Sequence, residues 1–302
     1  MTAIVRSRWA AAVAASALGA AFLLLASRRS RRSRRPSGPQ LEDLHHQVGG
    51  HSGADTGFKL YNGRVLKRFQ NGSRGEREGA FYVAVQAVPS LLPFVPAYYG
   101  DVSLDVDGAT IRSMFLPVLR LTFGVGFMEL ENLVADLAQP CVMDIKVGTK
   151  SYEPTASEAK IALEQAKFPL QATVGFRLLG FQTHRRGACE RYDRSFCKAL
   201  QTMPDVLDAV VKYFPDDPAA RAVVVAKLMT KLEALLSWLE TNVCYHFIAS
   251  SLLFVYDAAS PESCDVRLID FAHVQLDATT RDEGVITGVT TLLEMFASFQ
   301  DA

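Results

Sequence analysis

Several features that would settle a function at a glance are missing from this sequence. Its five cysteines, Cys141, Cys189, Cys197, Cys244 and Cys264, are odd in number, scattered and never spaced as CxxC. That excludes a disulfide framework and a cysteine zinc site, and it suits reduced thiols on the cytosolic side. No internal repeat occurs, and only one arginine run is low in complexity, so solenoid and fibrous architectures are excluded. Net charge is absent too, with 32 basic side chains against 32 acidic ones. That balance is uneven along the chain. Residues 1–41 hold eight arginines and no acid, which leaves 24 basic against 32 acidic side chains beyond them. An acidic body excludes non-specific nucleic-acid binding and leaves anion recognition to local cationic pockets.

What is present is a chain of 302 residues, 49% hydrophobic and 21% charged, enough for one large domain or two lobes with a real core. Ahead of that body, Trp9 to Ala26 carries no charge, and RRSRRSRR follows from Arg28 to Arg35. As a helix the uncharged stretch would span about 27 Å, just under the roughly 30 Å hydrocarbon core. Arginines on its C-terminal flank predict a signal anchor with the body facing the cytosol, contacting a membrane through residues 9–35. An Arg- and Ser-rich organellar transit peptide and a cleaved signal stay open, although Leu24 stands where a cleavage site wants a small residue. The arginine run also suits acidic lipid head groups or a nuclear address.

The body reads as an α+β chain. Residues Ser37 to Gly57 read as a linker and an irregular loop. FKLY and RVLKRF flank Asn62-Gly63, which predicts a β-hairpin. Alternation then puts Val65, Lys67 and Phe69 on one face of the second strand. Glu76–Val88 has helical spacing, and Ala97–Leu104, Thr110–Leu116 and the stretch at Phe127 read as further strands. These make a small, mainly antiparallel sheet with one helix. In the second half PCVMDIKV, TVGFRLLGFQT, SLLFVYD and DVRLIDF read as strands. Thr155–Lys167, Pro204–Tyr213, Asp217–Glu240 and Asp282–Phe299 read as helices. A β-rich lobe over 42–133 and an α/β lobe over 134–302 would leave a cleft between them.

PCVMDIKVGTK sets the chemical question. In a strand Asp144 and Lys146 share a face, and the apolar residues around them imply burial, where charges need a reason. Gly148 then frees the backbone for a turn. LIDFAHV places Asp270 at a strand end, where a carboxylate can hold Mg²⁺ against phosphates or simply cap a turn. Ser250 and Ser251 lead into a strand, Lys67 lies on the hairpin, and His273 alone reads as a core histidine.

Singly these signals are weak. Together, PxxxDxKxG at Pro140–Gly148, SSLL at Ser250–Leu253 and IDF at Ile269–Phe271 resemble the inositol polyphosphate kinases. The resemblance runs from HQVGGH at His46–His51 to the C-terminus. GTKSYEPTASEAK and DEGVITGVTTLLEMF are similar to the multikinase branch. It implies a two-lobed, protein-kinase-like fold, ATP with Mg²⁺ as phosphoryl donor, and an inositol polyphosphate as acceptor, bound by a compact segment over about 150–205. Position by position, it implies Lys67 at the ATP phosphates with Glu78 behind it, and main-chain atoms of Glu131 and Leu133 at adenine. Asp144 would face the ribose and the acceptor hydroxyl, Lys146 the transferring phosphate, and Ser251 the phosphate and metal region. Asp270 would bind Mg²⁺. Lys146, Lys150, Lys160, Lys167, Arg74 and His273 are the candidate cations for the acceptor. Leu163 and Glu164 stand where that branch tends to carry glutamines.

Three rivals frame this expectation. A protein kinase would need a GxGxxG loop before Lys67 and an HRDxxxxN segment, and neither is present. A catalytically inactive membrane-tethered adaptor would not need every expected position filled. An inositol trisphosphate 3-kinase or inositol hexakisphosphate kinase is the alternative within the family.

Overall fold

The computed structural model describes residues 41–43, 48, 58–104, 111–114 and 125–299. The hydrophobic helix expected before residue 41, the arginine run and all of HQVGGH except Val48 lie outside the described residues. No helix among the described residues is long and apolar enough to cross a membrane.

The first half forms a six-stranded antiparallel sheet from β1 (Leu41–Asp43), β2 (Phe58–Tyr61), β3 (Arg64–Arg68), β4 (Tyr98–Leu104), β5 (Ile111–Met114) and β6 (Val125–Leu130), in the order β1-β2-β3-β6-β4-β5. Asn62 and Gly63 both take positive φ, 50° and 78°, which is the turn geometry that joins β2 to β3 with the strands' own twist. β1 is a correction to the expected linker. Its three residues carry no hydrophobic periodicity and pair with β2 at the sheet edge.

Among the described residues this half has one α-helix, α1 (Ser73–Val85), which starts and ends three residues earlier than its apolar spacing alone suggests. It buries Glu78, Phe81, Tyr82 and Val85, an i, i+3, i+4, i+7 stripe. Glu78 therefore rides inward on the apolar face, one turn ahead of Phe81.

Residues 131–139 connect β6 to the second sheet. That sheet contains β7 (Pro140–Val147), β8 (Phe176–Arg185), β9 (Ala188–Tyr192), β10 (Ser251–Asp257) and β11 (Ser260–Ile269), in the antiparallel order β11-β10-β7-β8-β9. β7 lies in the middle, which explains the continuous apolar run broken only by Asp144 and Lys146. β9 escapes sequence reading because its ACERY alternates poorly and its side chains are mostly exposed.

Helices α2 (Glu158–Gln165), α3 (Gln171–Val174), α4 (Arg194–Ala199), α5 (Met203–Tyr213), α6 (Pro218–Thr241) and α7 (Glu283–Ala297) accompany this sheet. α2 is capped by the Ser157 hydroxyl, which accepts from the Lys160 amide at 3.3 Å. It ends before Lys167, so the expected Thr155–Lys167 helix is shorter at both ends. α6 and α7 pack on one another and supply Leu228, Leu232, Leu292 and Phe296 to the core.

Candidate functional site

The site begins with Lys67, which the hairpin alternation points toward α1. Its ammonium donates to Glu78 Oε1 at 2.7 Å and to Asp270 Oδ1 at 2.5 Å. Burial alone would lower its pKa, but the Asp270 and Glu78 carboxylates outweigh that and hold the lysine well above its ordinary value. Glu78 also accepts from the Phe271 amide at 3.1 Å, while its Oε2 is buried without a partner. Phe271 stacks on Phe81 at 3.9 Å between ring centroids. The IDF segment is thus clamped to α1 by both its backbone and its ring.

Asp270 leaves β11 with a φ of 64°, a left-handed conformation that Asp tolerates better than most residues. That turn aims its carboxylate back at Lys67. Burial opposes its charge, but Lys67 and Lys146 prevail and its pKa falls. Its side chain keeps 40% of its surface open, unlike Lys67 and Glu78 beside it. Among the described residues no group of three or more His, Cys, Asp or Glu side chains could hold a metal ion. Asp270 thus belongs to no such group, and a lone carboxylate can share Mg²⁺ only with water and phosphate oxygens.

The second cluster sits on the face of the five-stranded sheet. Ser251 on β10, Lys146 on β7 and Arg177 on β8 lie directly across from one another, so all three side chains leave the same face. Asp144 is two residues back along β7, opposite Gly180, and 4% exposed. Burial first, then the Asp270 charge, push its carboxyl up to about 6 against the pull of Lys146. Its Oδ1 and the Ser251 hydroxyl are both buried with no hydrogen-bond partner. Orphaned buried polar atoms of this kind point to a missing ligand.

Burial lowers the Lys146 pKa while Asp270 and Asp144 support its charge. Its ammonium donates to the Ala249 carbonyl at 2.6 Å. The chain reverses at Gly148, whose φ of 104° suits glycine. The Val48 carbonyl lies against Gly180 so closely that a Cβ there would meet it at 2.2 Å.

The remaining candidates distribute unevenly. Glu131 accepts from the Ala97 amide at 2.9 Å through Oε2, and its own amide donates to the Ala97 carbonyl. Its side chain is thus committed, and Leu133 two residues on is half-buried. Lys160 and Lys167 both donate to buried Glu164 Oε1 at 2.6 Å. They share a counter-ion although Lys167 lies past the helix end. His273 is held by Glu153 Oε1 at 2.6 Å, and Arg77 of α1 donates to the same oxygen at 2.6 Å. Arg74 is exposed on the first turn of α1 and joins none of these bonds among the described residues, and Lys150 is likewise exposed. Sequence reading passed over Arg177 and Arg77. The signal for Arg177 was the one that flagged Asp144 and Lys146, a charge inside an apolar strand.

Two balanced needs emerge from this geometry. One cluster has an acid surplus partly open to solvent, and the other has a cation surplus beside an orphaned carboxylate and hydroxyl. That is the provision needed to position a metal-bound polyphosphate on one side and an anionic hydroxyl compound on the other. The arrangement of sheet lysine, helix glutamate and strand-end aspartate is the one phosphoryl-transferring kinases use.

Set beside known proteins, residues 127–297 match the family described as inositol polyphosphate kinase, over more than half of the chain. The chain is 33% identical over 229 residues to the human inositol polyphosphate multikinase, covering 72% of itself and 51% of that protein. It therefore spans about half the length of its mammalian relatives. The inositol polyphosphate multikinase of Oryza sativa subsp. indica is 31% identical over 285 residues, covering 84% of this chain and 92% of the rice protein. In fold, it is similar to the crystal structure of the S. cerevisiae inositol phosphate multikinase in complex with ADP and Mn²⁺. The TM-score is 0.61 at 23% identity, over 78% of this chain and 98% of that one.

Proposed function

The chain belongs to the inositol polyphosphate kinase family, and on that premise we propose that it transfers the γ-phosphoryl group of ATP to a hydroxyl of a soluble inositol polyphosphate, as a multikinase does. The observation that carries this reading is the pairing of the Lys67–Glu78–Asp270 chain with the orphaned Asp144 and Ser251 beside Lys146. The names of the human and rice relatives, and the ADP and Mn²⁺ of the yeast complex, support it.

In this reading Lys67 binds the donor phosphates, and Glu78 fixes its rotamer. Main-chain atoms of Glu131 and Leu133 hold adenine in the connection, with lobes over 42–133 and 134–302 on either side. Asp270 and Ser251 would hold phosphate and Mg²⁺, which would supply neutralisation of the phosphate charge. Lys146 meets the charge on the transferring group, in a loose transition state where positioning and electrostatics dominate. Asp144 receives the acceptor hydroxyl. A carboxyl titrating near 6 is mostly ionised at neutral pH and accepts a proton more readily than an ordinary one. Lys146, Lys160, Lys167 and His273 face the acceptor phosphates, with Arg74 joining only through a change in α1's exposed end.

The full chain should consume ATP with Mg²⁺ when given inositol 1,4,5-trisphosphate. Identifying the positional isomers formed across a panel of inositol phosphates separates multikinase from 3-kinase and hexakisphosphate kinase. Absence of turnover on every acceptor would sink the reading in favour of an inactive adaptor. We further propose that residues 9–35 tether the body to a membrane with the site facing the cytosol. Membrane association that survives high salt is the expected result, and release by salt alone would leave only the arginines binding.

A further inference from the structure

Arg267 on β11 makes bonds that neither cluster uses. β11 is an edge strand, and its register runs through β10 to β7. Arg267 lies opposite Leu253, which lies opposite Asp144, and Ile269 reaches Lys146 through Ser251 in the same way. All six side chains therefore leave one face of the sheet. Arg267 ends the Asp144 row at the edge, three residues before Asp270.

From there the guanidinium reaches two segments far away in sequence. Its Nη1 donates to the Val95 carbonyl at 2.8 Å and lies 3.5 Å from Glu131 Oε2. That same Oε2 accepts from the Ala97 amide, and the Glu131 amide donates to the Ala97 carbonyl, both at 2.9 Å. The other side of the fork is anchored, since Nε donates to Asp265 Oδ2 at 2.6 Å. Lys231 of α6 and the Val266 amide hold Asp265 Oδ1 in turn. Only 18% of the Arg267 side chain is open to solvent. A planar fork with five donors can join a strand, a carbonyl and a carboxylate at fixed angles, which a single ammonium cannot.

One strand thus serves two ends of a ligand. Asp270 follows Arg267 by three residues, a rise of about 10 Å at strand spacing. The proposed function puts adenine at the connection that Arg267 grips, and the donor phosphates at Asp270. Half-buried Leu253 and Ile269 lie on the sheet face between the two. We propose that Arg267 is a positioning residue for the nucleotide donor. It fixes the connection at Glu131 relative to the sheet face, so that the base end and the phosphate end of ATP are held at one spacing. This rests on the proposed function. Arg267 acts through Val95 and Glu131 and needs no contact with the nucleotide.

The test compares Arg267→Met with the wild-type full chain. Losing the charge-assisted hold on the connection should raise the KM for ATP about tenfold. The KM for inositol 1,4,5-trisphosphate should stay within about twofold. Inorganic tripolyphosphate, a competitor with phosphates and no base, should inhibit both proteins equally. A folded Arg267→Met with an unchanged ATP KM overturns the proposal, and so does an equal rise in both KM values, which marks general loosening. Weakened tripolyphosphate inhibition overturns it too, by placing the effect at Asp270 rather than at the connection. Should Arg267→Met not fold, Asp265→Asn keeps the guanidinium but neutralises its anchor. That variant must raise the ATP KM about threefold, or the proposal fails. Calorimetric titration with ATP and Mg²⁺ in the absence of an acceptor keeps the two readings apart. A wild type that binds ATP without ever turning over, and binds it more weakly as Arg267→Met, would sink the kinase reading and keep the positioning role. Equal ATP affinity in both proteins would sink the positioning role while turnover stands.

Discussion

Lys67 is enclosed by two carboxylates and touches both, whereas Lys146 and Arg177 stand side by side near Asp144, which neither bonds. The first cluster satisfies its own cation and keeps a spare negative charge at Asp270. The second leaves its cations and its acid mutually unsatisfied. A buried ion pair is stable only when its hydrogen bonds close, and of the two clusters only the first pairs its cation with carboxylates. Fold stability should therefore reside in the first cluster and acceptor discrimination in the second.

The largest effect tests whether both sides serve one reaction. Asp270→Asn and Lys146→Ala should each lower kcat by about 10³-fold or more, with circular dichroism unchanged. If turnover persists in both, the site assignment is wrong. Next comes stability on the donor side. Lys67→Met strands Glu78 inside the core and should destabilise the fold by about 3–5 kcal/mol in denaturant titrations. Adding Glu78→Leu should recover most of that stability and none of the activity. Removing a cation from the second cluster, Arg177→Leu, should leave the fold intact because its Nε and Nη1 bond nothing, and there the contrast between the clusters is sharpest.

Asp144 gives a smaller effect that depends on pH. Its carboxyl is raised in the folded state to about 6, so the stability linked to its protonated form is present at low pH and lost as pH rises through 6. Asp144→Asn should thus match the wild type near pH 3 and exceed it by at most about 3 kcal/mol near pH 8. Thermal melts at the two pH values decide it, and a gap that narrows with pH would reverse the assignment. The smallest effect belongs to Glu164→Gln. Freed of their shared, buried counter-ion, the partly exposed Lys160 and Lys167 should lower the acceptor KM by about two- to fivefold, an effect that shrinks with added salt.

Much of this was legible in the residues, and the gaps have physical causes. Asn62-Gly63 announced the hairpin because few other pairs take two positive φ angles. The hairpin then oriented Lys67. Asp144 and Lys146 stood out because period-two geometry puts both on one buried face. Glu78 was placed behind Lys67 by family likeness rather than by its own pattern. Only its register with Phe81, Tyr82 and Val85 explains why a carboxylate enters the core. Glu164 was visible as a departure, but the lysine it shares from beyond the helix end was not, since that contact depends on how the chain turns after Gln165. Arg177 was marked only as a charge inside an apolar strand. Phe176 and Leu178 read as core, and nothing local says that the arginine between them points at Lys146.

The left-handed backbone at Asp270 constrains how this site can vary. Only glycine, asparagine and aspartate adopt that conformation readily. Lengthening the side chain to glutamate would thus be no conservative change, because the backbone would resist before the carboxylate found its place. Of the three permitted residues, one has no side chain and one has no charge. At this strand end, chain geometry alone leaves a single acidic choice.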